Sequence, residues 1–191
     1  MGADKALLSF DGQTLLERAL HTAAAIAERA VIVGPGERYA AFGEVIEDVY
    51  VGCGPLAGIH AALGASNTDV NLMLSVDMPL MTPSFLAWLL QRAQAAKELI
   101  VVPDALGGLQ PLCAVYRREV CAIVEQALRK GDYKIGKLFP LVPTRYVSEQ
   151  EITAGGFSTT IFRNVNTRDE FEELAIPEPM TSNAEKGSKQ R

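Results

Sequence analysis

One carboxylate directly follows the most hydrophobic strand-like segment of the chain. Residues 70–76 read Val-Asn-Leu-Met-Leu-Ser-Val, and Asp77 comes next, shortly before Pro79. In open α/β sheets ligands collect beyond the carboxyl ends of the strands. Because Mg²⁺ binds through one or two carboxylates together with water and substrate phosphates, Asp77 is a candidate metal ligand. The alternative is that Asp77 caps a turn before the proline.

A glycine-rich turn is the second candidate, and residues 52–58 read Gly-Cys-Gly-Pro-Leu-Ala-Gly. Glycines let a backbone approach a ligand closely, and a helix that begins at Pro55 directs its first N–H groups outward. Asp48 lies just upstream and could accept hydrogen bonds from a guanine edge or from ribose hydroxyls. A base or a phosphate could therefore bind here. A plain loop-to-helix turn with a solvated Asp48 is the alternative.

Further polar residues could complete such a site. Lys5 could neutralise a triphosphate, or it could be an ordinary charged residue near a terminus. Asn164 and Asn166 flank a single residue. In an extended stretch they would project to the same side and could hold a polar heterocycle, whereas an N-cap and a turn are the alternative. Gln110 could present its amide to a ligand or start an edge strand.

Short apolar segments alternate with helical periodicity along the chain. Strands are predicted at 29–34, 44–47, 70–76, 99–102, 111–116, 145–147 and 162–165, and helices at 13–29, 55–65, 82–97, 118–130 and 168–175. This alternation predicts an α/β fold whose parallel-rich sheet is covered on both faces. Residues 1–175 are predicted to form one domain. Residues 176–191 contain two prolines and little apolar material, which predicts a disordered tail.

Composition excludes several classes of function. The 191 residues are 48% hydrophobic and carry a net charge of −5, which is atypical of a nucleic-acid-binding protein. Three cysteines (Cys53, Cys113 and Cys121) form no C-x-x-C pair and fit a reducing compartment. Because no secretion signal and no run of about eighteen apolar residues is present, we expect a cytoplasmic protein without a membrane partner.

These segments, in this order, resemble the molybdenum cofactor guanylyltransferase family. Any one of the motifs alone is weak, but the ordered set is fairly specific and the resemblance spans about residues 1–174. The matching motifs are Asp4-Lys5, the Gly-Pro-Leu-Ala-Gly of residues 54–58, the Val-Asp-Met-Pro of residues 76–79, the Gln-Pro-Leu of residues 110–112 and the Asn-Val-Asn-Thr of residues 164–167.

The resemblance implies a Rossmann-like, GT-A-like nucleotidyltransferase, a three-layer sandwich with a mostly parallel central sheet. It also implies transfer of GMP from GTP to molybdopterin with Mg²⁺, release of pyrophosphate, and molybdoenzyme maturation chaperones as further partners. By motif match, Lys5 and Asp77 would be catalytic, and Asp77 would hold the metal. GTP would contact Lys5, Asp48, Gly54, Pro55 and Asp77, and molybdopterin would contact Asn164 and Asn166.

The chain departs from the family at its start. Members normally have a hydrophobic strand and a loop of the form L-A-G-G-x-S-x-R directly before the Met-Gly-x-Asp-Lys that opens this sequence. We therefore expect the first strand to be absent here and the natural start to lie upstream of Met1. The alternative to an upstream start is a short, non-catalytic form that binds molybdopterin. The alternative to GMP transfer is a related transferase, which would use CTP on molybdopterin or a nucleoside triphosphate on a sugar phosphate.

Overall fold

The structure is a computed structural model that describes residues 4–10, 12–165 and 170. The strands are β1 (Ser9–Phe10), β2 (Gln13–Thr14), β3 (Ile32–Val33), β4 (Val45–Ile46), β5 (Val70–Leu74), β6 (Ile100–Ala105), β7 (Gly108–Leu109), β8 (Cys113–Arg117) and β9 (Thr144–Ser148). The helices are α1 (Leu15–Ala24), α2 (Gly36–Tyr39), α3 (Pro55–Ala65), α4 (Pro83–Ala95), α5 (Val120–Arg129) and α6 (Glu149–Ala154). Short 3-10 turns lie at Lys5–Leu7, Ile135–Lys137, Phe139–Leu141 and Thr159–Phe162.

The described strands form a hairpin (β1 and β2) and two further sheets. A parallel pair, β3 and β4, is separate from a larger sheet in which β5, β8 and β6 are neighbours and β9 pairs with β6. β9 is parallel to β6, whereas β8 is antiparallel to both β5 and β6. The predicted α/β class is confirmed, but the larger sheet is mixed because β8 reverses direction between its two neighbours.

Alternate residues of β6 separate the two halves of the core. Ile100 and Val102 face a cluster built from α3 and α5, and Val101 faces a cluster built from α4. All three side chains are almost fully buried. Because successive side chains of a strand point to opposite faces, the sheet lies between two helical layers. This arrangement is the predicted three-layer sandwich.

Capping residues account for the helix boundaries. Thr82 caps α4 as predicted, since its Oγ1 accepts a hydrogen bond from the Phe85 N–H at 3.3 Å. Thr14 caps α1 in a capping box with Glu17, so α1 begins at Leu15 rather than at Gln13. α1 also ends at Ala24, five residues before the predicted end at Arg29.

The carboxyl-terminal part differs most from the sequence prediction. The strand predicted at 162–165 is wrong, because Thr159–Phe162 forms a 3-10 turn and residues 163–165 join no sheet. Phe162 packs edge-to-face on Phe85 of α4, with ring centroids 5.2 Å apart. Burial of Phe162 against α4 therefore explains why this segment is apolar although it forms no strand. The sequence prediction also missed α6, which opens with a capping box between Ser148 and Glu151.

The helix predicted at 168–175 and the tail predicted at 176–191 lie outside the described residues, apart from Glu170. Both stay predictions, as does the domain boundary at residue 175. Within residues 4–10, 12–165 and 170, none of the helices is long and apolar enough to cross a membrane.

Candidate active site

A backbone hydrogen bond joins two of the predicted site segments. The N–H of Val165 donates to the carbonyl oxygen of Asp77 at 2.8 Å. Asp77 follows β5 as predicted, three residues after the strand ends at Leu74. The bond therefore brings exposed Asn164 beside the candidate metal ligand, although Val165 lies 88 positions after Asp77 in the chain.

Packing around Val76 brings Lys5 to the same end of the sheet. Val76 packs against a cluster that contains Ala6, and also against a cluster that contains Val165. Because Lys5 precedes Ala6 and Asn164 precedes Val165, three chain segments meet around Val76. The carboxyl end of β5 is thus the point on which the predicted phosphate, metal and pterin contacts converge.

Asp4 fixes the segment that carries Lys5, a role that the sequence analysis missed. Its Oδ1 accepts a hydrogen bond from the Ala6 N–H at 3.2 Å, which caps the turn at Lys5–Leu7. Its Oδ2 accepts one from the Tyr39 hydroxyl at 2.9 Å and lies 3.4 Å from Arg38. Burial, together with this carboxylate, raises the pKa of Tyr39. An aspartate just before a turn is a capping signal that the sequence already contained.

Asp48 and the glycine-rich turn line one end of a long cavity. The cavity has a volume of about 1050 Å³ and lies between β3 and β5. Asp48, Gly54 and Pro55 line it together with Ser75 and Val76. The predicted base-binding residues therefore open onto the same space as the residues that precede Asp77.

Gly54 holds a backbone conformation that only glycine adopts readily. Its φ of 68° and ψ of −165° lie in a region that is unfavourable for any residue with a Cβ atom. Gly54 immediately precedes Pro55, the first residue of α3, so this geometry sets where the helix begins. A Cβ atom built on Gly58, one turn later, would lie 3.8 Å from Asp48 Oδ1, which places the first turns of α3 beside that carboxylate.

The two aspartates each carry a buried oxygen atom that lacks a hydrogen-bond partner among the described residues: Oδ1 of Asp48 and Oδ1 of Asp77. Burial raises the pKa of Asp48, because desolvation penalises its charged form. Buried polar atoms are nearly always satisfied in folded proteins. Both oxygens are therefore suited to meet a ligand, either a hydrogen-bond donor or a cation.

Replacing Asp48 by asparagine is expected to stabilise the free protein near pH 7. A carboxyl whose pKa is raised by folding contributes stability below its usual pKa, and that contribution is lost as pH rises through the folded value. The parent should therefore melt below Asp48→Asn at pH 7, and the gap should close as pH falls past about 3.9. Thermal melts of both proteins between pH 7 and about pH 3.9 measure this difference in melting temperature.

Asp104→Asn, at an exposed aspartate of β6, is the matched control and should leave the melting temperature nearly unchanged. A pH-independent gap between the parent and Asp48→Asn would contradict the assignment of a desolvated carboxylate to Asp48.

The remaining predicted positions are not brought into this arrangement. Asn166 lies outside the described residues. Gln110 uses its side chain structurally, because Nε2 donates to the carbonyl oxygens of Ala105 and Gly108 at 2.9 and 3.2 Å. The Gln110 amide therefore stabilises the β6–β7 hairpin, and Gln110 is not among the described residues that line the cavity.

A three-layer α/β sandwich with one carboxylate just after each of two strands and a glycine turn at a helix start is the architecture of a nucleotidyltransferase. Two solved structures share it. Molybdopterin-guanine dinucleotide biosynthesis protein A from Archaeoglobus fulgidus is 25% identical, with a TM-score of 0.76 over 88% of this chain and 87% of its own. Rv0371c from Mycobacterium tuberculosis, in complex with manganese, is 20% identical, with a TM-score of 0.64 over 91% and 92%.

The chain belongs to the family described as the MobA-like NTP transferase domain, which matches residues 1–144. Among curated relatives, the probable molybdenum cofactor guanylyltransferase of Pelotomaculum thermopropionicum is 30% identical over 178 residues. The alignment covers 92% of this chain and 86% of the relative. The predicted family, fold class and nucleotidyltransferase activity are therefore confirmed.

Proposed function

We propose that this protein transfers GMP from GTP to molybdopterin and releases pyrophosphate. The single observation that carries the proposal for this chain is the convergence at the carboxyl end of β5. There Asp77, the Lys5 segment and Asn164 meet, and the Asp48 turn opens onto the adjoining cavity. The curated relatives of the same family bear the name of this activity.

The reaction joins a phosphate oxygen of molybdopterin to the α-phosphorus of GTP. The bond from that phosphorus to the bridging oxygen of the β-phosphate breaks, and pyrophosphate leaves with the electron pair. Such transfers depend on positioning and on charge stabilisation rather than on a protein nucleophile. A site made of carboxylates, a lysine and backbone N–H groups meets that requirement.

Asp77 is the residue proposed to hold a divalent cation, with Mg²⁺ as the natural choice beside a triphosphate. Its buried and unpartnered Oδ1 fits a metal ligand. Among the described residues no cluster of three or more histidine, cysteine, aspartate or glutamate side chains could enclose an ion. A site with one protein carboxylate suits Mg²⁺, which takes its other ligands from water and phosphates. When bound, the ion would neutralise charge that develops on the phosphates.

The other residues are proposed to orient the two substrates. Asp48 would accept hydrogen bonds from the guanine edge or the ribose, and the turn at Gly54 and Pro55 would contact the same nucleotide. Lys5 would lie against the triphosphate, where its charge is stabilising. Asn164, exposed beside Asp77, would contact the pterin with Asn166 as its predicted companion.

Release of pyrophosphate measures the proposed reaction directly. The protein is incubated with Mg²⁺ and GTP, with and without molybdopterin, and the other three nucleoside triphosphates are tested in competition. Pyrophosphate should appear only when GTP, Mg²⁺ and molybdopterin are all present. Release that CTP supports better than GTP would overturn the choice of nucleotide, and release without molybdopterin would overturn the choice of acceptor.

Asn164→Ala is expected to raise the KM for molybdopterin about tenfold and to leave GTP affinity unchanged. Loss of one or two hydrogen bonds to a polar heterocycle costs about 1–1.5 kcal/mol, which corresponds to that factor. Steady-state kinetics with each substrate varied in turn measure the KM for molybdopterin and the KM for GTP separately. Asn67→Ala, at an exposed asparagine by the opposite end of the cavity, is the control. An equal rise in both KM values would argue against a pterin contact.

A further inference from the structure

The short helix α2 contacts the turn that carries Lys5. The hydroxyl of Tyr39, the last residue of α2, donates a hydrogen bond to Asp4 Oδ2 at 2.9 Å. The other oxygen of the same carboxylate, Oδ1, accepts the N–H of Ala6 at 3.2 Å and caps the turn at Lys5–Leu7. Asp4 therefore links Tyr39 to the position of Lys5.

Packing holds the ring of Tyr39 in place. The ring packs against the cluster that contains Ala6 and Ile32. It also lies close to Gly34 at the end of β3, where an added Cβ atom would be 2.8 Å from Tyr39 Cε2. No side chain fits at residue 34 without moving the ring, so the glycine allows this close approach. The Tyr39 hydroxyl is thus presented to Asp4 from a fixed ring.

The second contact between α2 and Asp4 is weaker. Arg38 Nη1 lies 3.4 Å from Asp4 Oδ2, and the Arg38 side chain is 54% exposed. Exposed ion pairs contribute little, whereas a short hydrogen bond to a carboxylate is among the stronger ones. Burial and the bond to Asp4 raise the pKa of Tyr39, so the hydroxyl keeps the proton that it donates at neutral pH. Tyr39 is therefore the principal contact of α2 with this carboxylate.

The opposite end of α2 is bonded to the segment that carries Asp48. The N–H of Gly36, the first residue of α2, donates to Glu47 Oε1 at 2.8 Å. Glu47 directly precedes Asp48 in the chain. α2 thus connects the segment proposed to bind the triphosphate, at Lys5, with the segment proposed to bind the base or the ribose.

We propose that Tyr39 is a positioning residue for GMP transfer, which holds Lys5 against the triphosphate through Asp4. The inference rests on the proposed function, because it requires that Lys5 contact the phosphates. Without the Tyr39 hydroxyl, Asp4 loses its nearest side-chain donor and can turn away from the Ala6 N–H. A displacement of about 1 Å can cost on the order of 10²-fold in such a reaction, and loss of one of several anchors should cost about tenfold.

A double-mutant cycle in triphosphate affinity tests the inference. Tyr39→Phe keeps the ring, removes only the hydroxyl and should weaken GTP binding about tenfold in equilibrium dialysis with Mg²⁺. In a Lys5→Ala background the same change should have an effect of less than about twofold, because no lysine remains to be positioned. Guanosine, which has no phosphates, should bind equally to the parent and to Tyr39→Phe. Tyr146→Phe, at an exposed tyrosine of β9, is the matched control and should behave as the parent.

Hydrogen exchange of the free protein tests the anchor itself. In Tyr39→Phe the amide of Ala6, which is bonded to Asp4, should exchange about tenfold faster than in the parent. The amide of Ile32, bonded to the carbonyl oxygen of Glu44, should be unchanged and serves as the reference for an intact β3.

The outcomes separate this inference from the proposed function. Unchanged GTP affinity in Tyr39→Phe, or unchanged exchange of the Ala6 amide, would overturn it. So would an equal loss with and without Lys5, or an equal loss of guanosine affinity, since the tyrosine would then act on the fold alone. The dialysis uses all four nucleoside triphosphates, each with its nucleoside, so that a different base preference does not affect the cycle. Triphosphate binding without GMP transfer would overturn only the proposed function, whereas a parent that binds none of the four would overturn both.

Discussion

Asp77→Asn is expected to lower the rate of GMP transfer by on the order of 10²–10³-fold, the usual cost of removing one group that stabilises developing charge. The asparagine keeps the size of the side chain and its place after β5, but it removes the negative charge that a cation needs. The backbone bond from the Val165 N–H to the carbonyl of residue 77 is independent of the side chain and should persist. Pyrophosphate release across a Mg²⁺ titration measures the effect.

The matched control is Asp104→Asn, which changes an exposed aspartate on β6 and should leave the rate unchanged. Circular dichroism and a thermal melt of both variants confirm that the fold is intact. A rate for Asp77→Asn within about threefold of the parent at every Mg²⁺ concentration would remove Asp77 from the catalytic site. A rate that is lost at low Mg²⁺ and recovers at high Mg²⁺ would instead indicate that the side chain acts through the cation.

Gly54→Ala is expected to lower the free energy of unfolding by about 1–3 kcal/mol and to weaken GTP binding at least tenfold. The added Cβ atom would meet no neighbour within 4 Å, so the cost comes from backbone conformation and not from a clash. Relief of this strain would rotate the backbone at the start of α3 and move Pro55 away from the cavity. Urea unfolding and equilibrium dialysis of GTP measure the two effects separately.

Gly64→Ala is the control within the same helix. Gly64 is exposed in the last turns of α3, and an added Cβ would lie 4.0 Å from Cys121 Sγ, an ordinary contact distance. Because alanine favours the helix, this variant should gain up to about 1 kcal/mol of stability and keep its GTP affinity. Equal behaviour of the two variants would show that the conformation of Gly54 has no special role.

Sequence reasoning succeeded where a signal is local. The apolar run before Asp77 predicted β5, and Pro55 predicted the first residue of α3. Thr82 and Pro83 predicted the start of α4. In each case a side chain or a proline ring determines the conformation of its own neighbours, so the information lies within a few residues of the chain.

Sequence reasoning failed where burial without pairing resembles a strand. The sequence predicts a strand from Phe162 to Val165, but Phe162 lies in a 3-10 turn and packs edge-to-face on Phe85 of α4. An apolar run indicates that a segment is buried, and only the neighbouring elements decide whether its backbone pairs in a sheet. The residues of β8 also do not indicate whether it runs parallel or antiparallel to its neighbours, because that direction depends on the strands with which it pairs.

The sequence by itself determined the identities of the candidate site residues and their order, because the ordered motifs around Lys5, Asp77 and Asn164 indicate one family. It could not determine their proximity. The 2.8 Å hydrogen bond between Val165 and Asp77 exists only after distant segments fold together, and so does the packing of Val76 against the cluster that contains Ala6. The tertiary structure alone also exposed the cavity between β3 and β5. Ladder hydrogen bonds form between strands, so the sequence around a residue does not determine whether its backbone groups will find a hydrogen-bond partner.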